Sequence, residues 1–137
     1  MTGLNDQASA LVSCMQTLAQ TGLNLGRAGN ASVRRNSERY LITPSGVHPR
    51  DIEPRQIVEL VLADSEVPDD KLPSSEWRMH RDIFLAFDSV NAIVHTHSNA
   101  ATAVACLGQS IPAFHYMVAV AGGDSIECAR YATFGTQ

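Results

Sequence analysis

Apolar positions along the chain recur with two different periods, which predicts a mixture of helices and strands. Over residues 4–21 they recur every three or four positions, as on the buried face of an amphipathic helix, and Gly22 is placed to end that helix. Further helices are predicted over two segments, residues 76–87 and 98–107. Strands are predicted over short apolar runs, at residues 31–34, 39–43, 56–63, 90–97 and 114–120.

The order of these elements predicts the fold class. Helices and strands alternate irregularly, and a hairpin is expected around the polar turn at residues 36–38. This order favours a mixed α/β fold, a sheet flanked by helices, over a doubly wound parallel sheet. The length of 137 residues favours a single domain over 1–137, and 45% apolar with 18% charged residues is typical of a folded globular protein.

Charge and cysteine content indicate which binding partners and which cellular compartment to expect. A formal net charge of −4 argues against a nucleic-acid surface. The three cysteines include no C-x-x-C pair, so we expect free thiols in a reducing cytoplasm. The sequence shows neither a signal-peptide pattern nor an apolar run long enough to cross a bilayer, so no membrane partner is expected.

A candidate metal site lies at the end of the strand predicted over residues 90–97. His95 and His97 are two residues apart, so strand geometry places both imidazoles on one face, a common arrangement for zinc or a similar divalent ion. On its own, this spacing of two histidines is as compatible with two surface histidines as with a metal site. Glu76 could supply a carboxylate, although a glutamate at a helix start also simply favours the helix dipole. His80 shares the helix face of Glu76, where a satisfied, half-buried histidine is a better interpretation than a ligand.

Candidate anion-binding groups surround the same helix start. Ser74 and Ser75 occupy N-cap positions, where main-chain N–H groups and hydroxyls could bind a phosphate. Two glycine-containing turns could complete such a site, at Gly29-Asn30 and Ser45-Gly46, although most turns of this kind bind nothing.

Lysine chemistry is disfavoured for any carbonyl substrate. The only lysine, Lys71, lies in an acidic segment that would raise its pKa, whereas a Schiff base requires a lowered one. A metal ion is therefore the better electron sink for a carbanion.

Taken together, the motifs resemble the class II aldolase/adducin family. They occur in the family's order and spacing, as GNASVR (29–34), ITPSG (42–46), LPSSEW (72–77), VHTH (94–97), IPAFHYM (111–117) and YATFGT (131–136). The resemblance covers the chain from about Gly22 onward, and it implies a central, largely antiparallel sheet flanked by helices.

The resemblance also implies an activity and residue roles. It implies zinc-dependent cleavage of a ketose 1-phosphate, with L-fuculose 1-phosphate expected, to dihydroxyacetone phosphate and L-lactaldehyde. Zinc would be bound by His95, His97 and, in the resting state, Glu76, which would also transfer the proton. Tyr116 would serve the aldehyde half in a neighbouring subunit of a homotetramer, unless it is a core aromatic. The substrate phosphate would be bound by Gly29, Asn30, Ser45, Gly46, Ser74 and Ser75.

The sequence departs from the family pattern at one point, and it leaves two alternative functions open. The family pattern includes a third zinc histidine beyond Gln137, so we expect this chain to lack the C-terminal part of the domain. A pentulose-5-phosphate 4-epimerase of the same family is an alternative, although such enzymes commonly carry aspartate where this chain has Glu76. A non-catalytic, adducin-like interaction module is the other alternative.

Overall fold

In a computed structural model the chain divides into two compact units, Met1–Thr96 and His97–Gln137. The structure describes residues 2–133. A single domain over residues 1–137 stays a prediction.

The first unit contains two helices and a four-stranded sheet. Helix α1 (Thr2–Gln20) begins the unit, close to the predicted bounds. The strands and the second helix follow in the order β1 (Asn30–Arg34), β2 (Arg39–Ile42), β3 (Val58–Val61), α2 (Trp77–Ala86) and β4 (Ala92–His95). The third strand starts later than the predicted 56–63, because Pro54–Gln56 forms a 3₁₀ turn in which Gln56 caps the main chain of Glu53. It also ends earlier, at Val61, where a turn follows.

All strand pairs in this sheet are antiparallel, and the strand order is β3-β2-β1-β4. Strand β1 is therefore a central strand, and it pairs with β4 so that Asn30 lies opposite His95. This register brings the end of β4, which carries His95, beside the start of β1.

Apolar side chains cover both faces of the sheet. Because side chains alternate along a strand, Leu41 faces one side while Tyr40 and Ile42 face the other. Leu41 packs with α1, and the opposite face packs against α2 through Trp77 and Phe84. The sheet is thus the middle layer between two helices, so the predicted mixed α/β class with a largely antiparallel sheet is confirmed.

The start of α2 differs from the prediction in one detail. Glu76, rather than a serine, is the N-cap residue, and its N–H donates to Ser74 Oγ at 3.3 Å. The Tyr40 hydroxyl donates to the Trp77 carbonyl at 3.1 Å, so the first turn of α2 is attached to β2. Phe87, the last residue of the helix predicted over 76–87, instead follows the last helical residue in an extended conformation and is 58% exposed.

The second unit contains helices α3 (Asn99–Cys106) and α4 (Met117–Val120). The strand predicted over residues 114–120 is wrong. Main-chain bonds there are local, from Val118 to His115 and from Ala119 to Tyr116, and the His115 ring accepts the Met117 N–H. These contacts close turns, so the main-chain groups that they use are not available for pairing with a β-strand. Residues 134–136 of the YATFGT motif lie outside the described residues.

Among the described residues, no helix is both long and apolar enough to cross a membrane.

Candidate functional site

Three elements of the first unit meet at the Glu76 carboxylate. Asn30 Nδ2, from the start of β1, donates to Glu76 Oε2 at 2.6 Å. His95 Nε2, from the end of β4, lies 3.3 Å from the same oxygen. Glu76 itself stands at the start of α2, and the side chains of Glu76 and His95 are each about three quarters buried, at 26% and 27% exposure. A partly shielded carboxylate with a histidine beside it is a reasonable centre for proton transfer or metal binding.

His97 completes the predicted set of ligand atoms. It follows His95 by two residues, directly after the boundary between the units, and is exposed. Glu76, His95 and His97 each present one ligand atom, and these atoms lie within 4.8 Å of one another. One carboxylate oxygen and two imidazole nitrogens form a donor set that suits zinc and related divalent ions. The residues present therefore fit the metal that the sequence predicted.

His80 is a buried neutral histidine that uses both ring nitrogens. Its side chain is fully buried, with Nδ1 2.6 Å from Ser32 Oγ and Nε2 2.5 Å from Asn30 Oδ1. Burial, reinforced by the nearby His95, lowers the pKa of His80 to about 4, while Glu76 opposes that shift. Because both ring nitrogens of His80 already have hydrogen-bond partners, this arrangement favours a structural histidine over a metal ligand. The side chain is also more deeply buried than the half-buried histidine that was predicted.

Polar contacts join every second residue of β1 to every fourth residue from Glu76 along α2. Asn30 bonds Glu76, Ser32 bonds His80, and Arg34 donates to the carbonyl of Phe84 at 2.6 Å. Alternate strand residues are about 6.8 Å apart, and helix residues four apart are about 6 Å apart, so the two series stay nearly in step. We call these three contacts the β1–α2 polar ladder. It sets the position of α2 along β1, and therefore the position of Glu76 relative to His95.

The segments predicted to bind phosphate lie side by side. Ser74 N donates to Thr43 O at 2.9 Å and Ser45 N donates to Leu72 O at 3.0 Å, which joins residues 43–46 to residues 72–75. Thr43 in turn exchanges bonds with Ala31, from its own N–H to the Ala31 carbonyl and from the Ala31 N–H to its Oγ1. The third segment, Gly29-Asn30, is thereby adjacent to the first.

Within these segments the side chains differ in accessibility. Ser74 and Asn30 are buried, Gly29 is half-buried, and Ser45, Gly46 and Ser75 are exposed. The amide of Asn30 already forms hydrogen bonds to Glu76 and His80. These two bonds use one of the two hydrogens on Nδ2, so the second hydrogen could be donated to a phosphate.

Gly29 is required by its geometry. Its φ is +77°, and a Cβ built there would lie 2.1 Å from Asn24 Nδ2. A side chain at this position would meet both backbone strain and a steric clash.

Two further predicted residues have clear environments. Tyr116 is 74% exposed, and its ring lies 4.3 Å from that of His115, so it is not a core aromatic. The Lys71 ammonium donates to the Glu59 carbonyl at 2.7 Å, a main-chain contact with β3.

Sequence reasoning missed Ser32 and Arg34 and assigned Asn30 to phosphate alone. A signal was present, because three polar residues alternate along an otherwise apolar strand, and Glu76 and His80 are polar positions four residues apart on the helix. Polar side chains on a buried strand face need partners, and those partners had to come from the element packed there.

The fold and donor set define a mixed α/β protein with a candidate metal centre at the meeting point of two strands and a helix start. The chain belongs to the class II aldolase and adducin N-terminal domain family, whose model matches residues 9–137. The predicted family is thereby confirmed.

Three similar proteins are named as aldolases of phosphorylated sugars, although the sugars differ. The chain is 48% identical over 126 residues to a 5-methylthioribulose-1-phosphate/5-deoxyribulose-1-phosphate aldolase of Rhodospirillum rubrum, covering 92% of this chain and 56% of the relative. It is 44% identical over 133 residues to L-fuculose phosphate aldolase of Escherichia coli, covering 97% and 61%. A solved L-fuculose 1-phosphate aldolase superposes with a TM-score of 0.88 at 40% identity, covering 96% of this chain and 62% of that one. The chain thus spans about three fifths of the length of these relatives.

Proposed function

We propose that this chain carries the catalytic centre of a metal-dependent aldolase that cleaves a ketose 1-phosphate to dihydroxyacetone phosphate and an aldehyde. The observation that carries the proposal is the placement of the Glu76 carboxylate. It lies 3.3 Å from His95 and directly follows the serine pair at the start of α2. The names of the similar proteins support this function, since each names a phosphorylated ketose.

Cleavage of a ketose 1-phosphate between C3 and C4 requires two proton movements. The C4 hydroxyl loses its proton as the aldehyde carbonyl forms, and the electron pair of the broken bond stays on the three-carbon phosphate fragment. That fragment gains a proton at C3 to become dihydroxyacetone phosphate. We assign the proton transfer to Glu76, because its carboxylate, about three quarters buried beside His95, can take up the proton that leaves the C4 hydroxyl and deliver it to C3, which returns Glu76 to its ionised state.

Metal binding is assigned to Glu76, His95 and His97, with zinc as the expected ion. When bound, the ion would supply Lewis-acid polarisation of the ketose carbonyl. The imidazoles bind as neutral ligands. Asn30, bonded to Oε2 of Glu76, orients the carboxylate between the two roles assigned to it.

The phosphate is assigned to the three adjoining segments. Gly29, Ser45 and Gly46 would offer main-chain and hydroxyl donors, and Ser74 and Ser75 would add their hydroxyls beside the start of α2. The direct bonds between residues 43–46 and 72–75 support this assignment, because they bring the predicted donors to one place.

Tyr116 and the oligomer belong to the same proposal. An exposed tyrosine fits a residue that reaches a neighbouring subunit and takes up the aldehyde half. We therefore propose a homotetramer with sites between subunits.

The sugar is proposed at the level of a class. L-fuculose 1-phosphate, 5-methylthioribulose 1-phosphate and 5-deoxyribulose 1-phosphate share the reacting half and differ beyond C4. L-fuculose 1-phosphate is our expected substrate, and the other two are retained because one relative with 48% identity is named for them.

A substrate panel tests the function. The zinc-loaded protein is incubated with each of the three ketose 1-phosphates, and dihydroxyacetone phosphate is followed by coupled reduction with NADH. Triose release from at least one substrate is expected, together with its loss in Glu76→Gln. A pentulose 5-phosphate is included as a fourth compound, and its epimerisation without triose release would instead favour the 4-epimerase. Failure to bind zinc in stoichiometric amount would favour an adducin-like module.

A further inference from the structure

The middle contact of the β1–α2 polar ladder contains buried groups that the proposed reaction does not use. Ser32 and His80 are each almost completely enclosed, at 1% and 0% exposure. Neither can touch a substrate while buried in this way. Their contacts nevertheless connect, through Asn30, to the carboxylate assigned to proton transfer.

The direction of each hydrogen bond in this chain of contacts follows from chemistry. The Glu76 carboxylate only accepts, so the Asn30 atom facing it is the NH₂ group, and the carbonyl oxygen Oδ1 faces His80. Since Oδ1 also only accepts, His80 Nε2 must carry the ring proton. The neutral ring then accepts at Nδ1 from the Ser32 hydroxyl. All three donors therefore point toward Glu76.

We propose that His80 is a positioning residue that fixes the amide orientation of Asn30, and through it the Glu76 carboxylate. An asparagine amide without this contact could rotate by 180°, because its two ends have nearly the same shape. The rotated amide would place Oδ1 against Oε2 of Glu76, and two acceptors facing each other repel. With His80 donating to Oδ1, only the orientation that donates to Glu76 satisfies both bonds.

Burial strengthens this assignment. A donor or acceptor left unpaired in an enclosed site costs more than one that water can reach, so the rotated amide would be penalised at His80 as well as at Glu76. The lowered pKa of His80 agrees with a ring that stays neutral and keeps its acceptor nitrogen for Ser32.

The inference rests on the proposed function for its catalytic consequence, but its structural part can be measured without turnover. In the metal-free protein labelled with ¹⁵N in histidine, long-range ¹H–¹⁵N spectra report which nitrogen of His80 is protonated. We expect Nε2–H with an unprotonated Nδ1. An Nδ1–H ring would reverse the chain of donors and overturn the proposal, whether or not any variant folds.

Two substitutions then separate positioning from packing. His80→Gln keeps an N–H donor for Asn30, whereas His80→Leu keeps bulk and removes the donor. We expect His80→Leu to weaken Zn²⁺ binding or lower kcat by about 10–100-fold, the usual effect of losing a group that orients a metal ligand. His80→Gln should recover most of that loss.

Phe84→Leu is the matched control, because Phe84 is one turn further along α2, fully buried, and in contact with the ring of Tyr40 rather than with the amide. Zn²⁺ dissociation constants are measured by competition with a chromophoric chelator. Equal losses in His80→Leu and Phe84→Leu, at similar stability, would reduce His80 to a packing residue and overturn the proposal. If the wild type binds Zn²⁺ but releases no triose from any ketose phosphate, the proposed function fails, while the tautomer and the zinc affinities still decide this inference.

Discussion

Asn30 Nδ2 donates a hydrogen bond of 2.6 Å to Glu76 Oε2, across 46 residues of sequence. The bond joins the central strand of the sheet to the start of α2, at the point where His95 also faces the carboxylate. An amide is suited to this place because it accepts from His80 at one end and donates to Glu76 at the other. The geometry of the candidate site therefore depends on a residue that is not itself an assigned metal ligand.

The first prediction concerns this amide. Asn30→Asp keeps the shape but replaces the donor with a carboxylate oxygen that repels Glu76. We expect metal affinity or triose release to fall at least about 10-fold, as for other groups that orient a metal ligand. We also expect a stability loss of about 1–3 kcal/mol, from a buried acceptor left without a donor. Zinc competition and urea unfolding measure the two effects. Wild-type affinity in Asn30→Asp would show that the bond does not orient the site.

The second prediction is a loss of stability in mild acid. His80 has a pKa of about 4 in the folded chain against 6.5 in the unfolded one, so the unfolded state binds more protons between these values. Stability is therefore greatest above about pH 6.5 and falls as the pH drops toward 4, with about 2 kcal/mol lost by pH 5.

Urea unfolding at pH 7.5 and pH 5 measures this change, with His80→Gln as the control because glutamine does not titrate. The control should show a smaller loss over the same interval. The same loss in both proteins would assign the acid sensitivity to other groups.

A third prediction concerns the turn before β1. Gly29→Ala should destabilise the fold by about 1–3 kcal/mol from the positive φ alone, and by more because its Cβ would meet the Asn24 side chain. Gly22→Ala is the control, since Gly22 also has a positive φ of +75° but no atom within 4 Å of a built Cβ. Thermal unfolding of both variants should place Gly29→Ala clearly lower. Equal midpoints would remove the steric part of this explanation.

The last rung of the β1–α2 polar ladder gives a fourth prediction. The Arg34 guanidinium donates to the carbonyls of Phe84, Phe87 and Val90, and it also lies 4.9 Å from the centre of the Phe84 ring. Lysine at this position cannot reproduce the planar set of donors. Arg34→Lys should therefore cost about 1–3 kcal/mol in urea unfolding. A change below about 0.5 kcal/mol, as at an ordinary surface position, would show that these contacts do not secure the end of α2.

Local patterns were sufficient for most of the first unit and insufficient for its interior contacts. The three-to-four residue period predicted α1, and the short apolar runs predicted β1 and β2 to within a residue or two, because burial of one face dominates those segments. Residues 114–120 were misread because a short apolar run looks alike in a strand and in a short helix, and only main-chain partners distinguish them.

For the candidate site, the residue types at Glu76 and His95 left other interpretations open, and it was the resemblance to the family motifs that predicted the pair, which the structure brings together at 3.3 Å. The bond between Asn30 and Glu76 was beyond reach, because it depends on how α2 lies along β1. That placement is a tertiary property, set by the spacing match between alternate strand residues and successive helix turns. The catalytic and binding roles of all these residues stay predictions.

The central claim is that Glu76, oriented by Asn30 and placed beside His95, transfers the proton in cleavage of a ketose 1-phosphate. Its most direct test is the rate of dihydroxyacetone phosphate release from the panel substrate that turns over best, compared between the zinc-loaded wild type and Glu76→Gln at equal zinc occupancy. We predict that Glu76→Gln loses about 100-fold or more in kcat, the usual contribution of a general acid–base group. Wild-type kcat in Glu76→Gln with zinc bound would contradict the assignment.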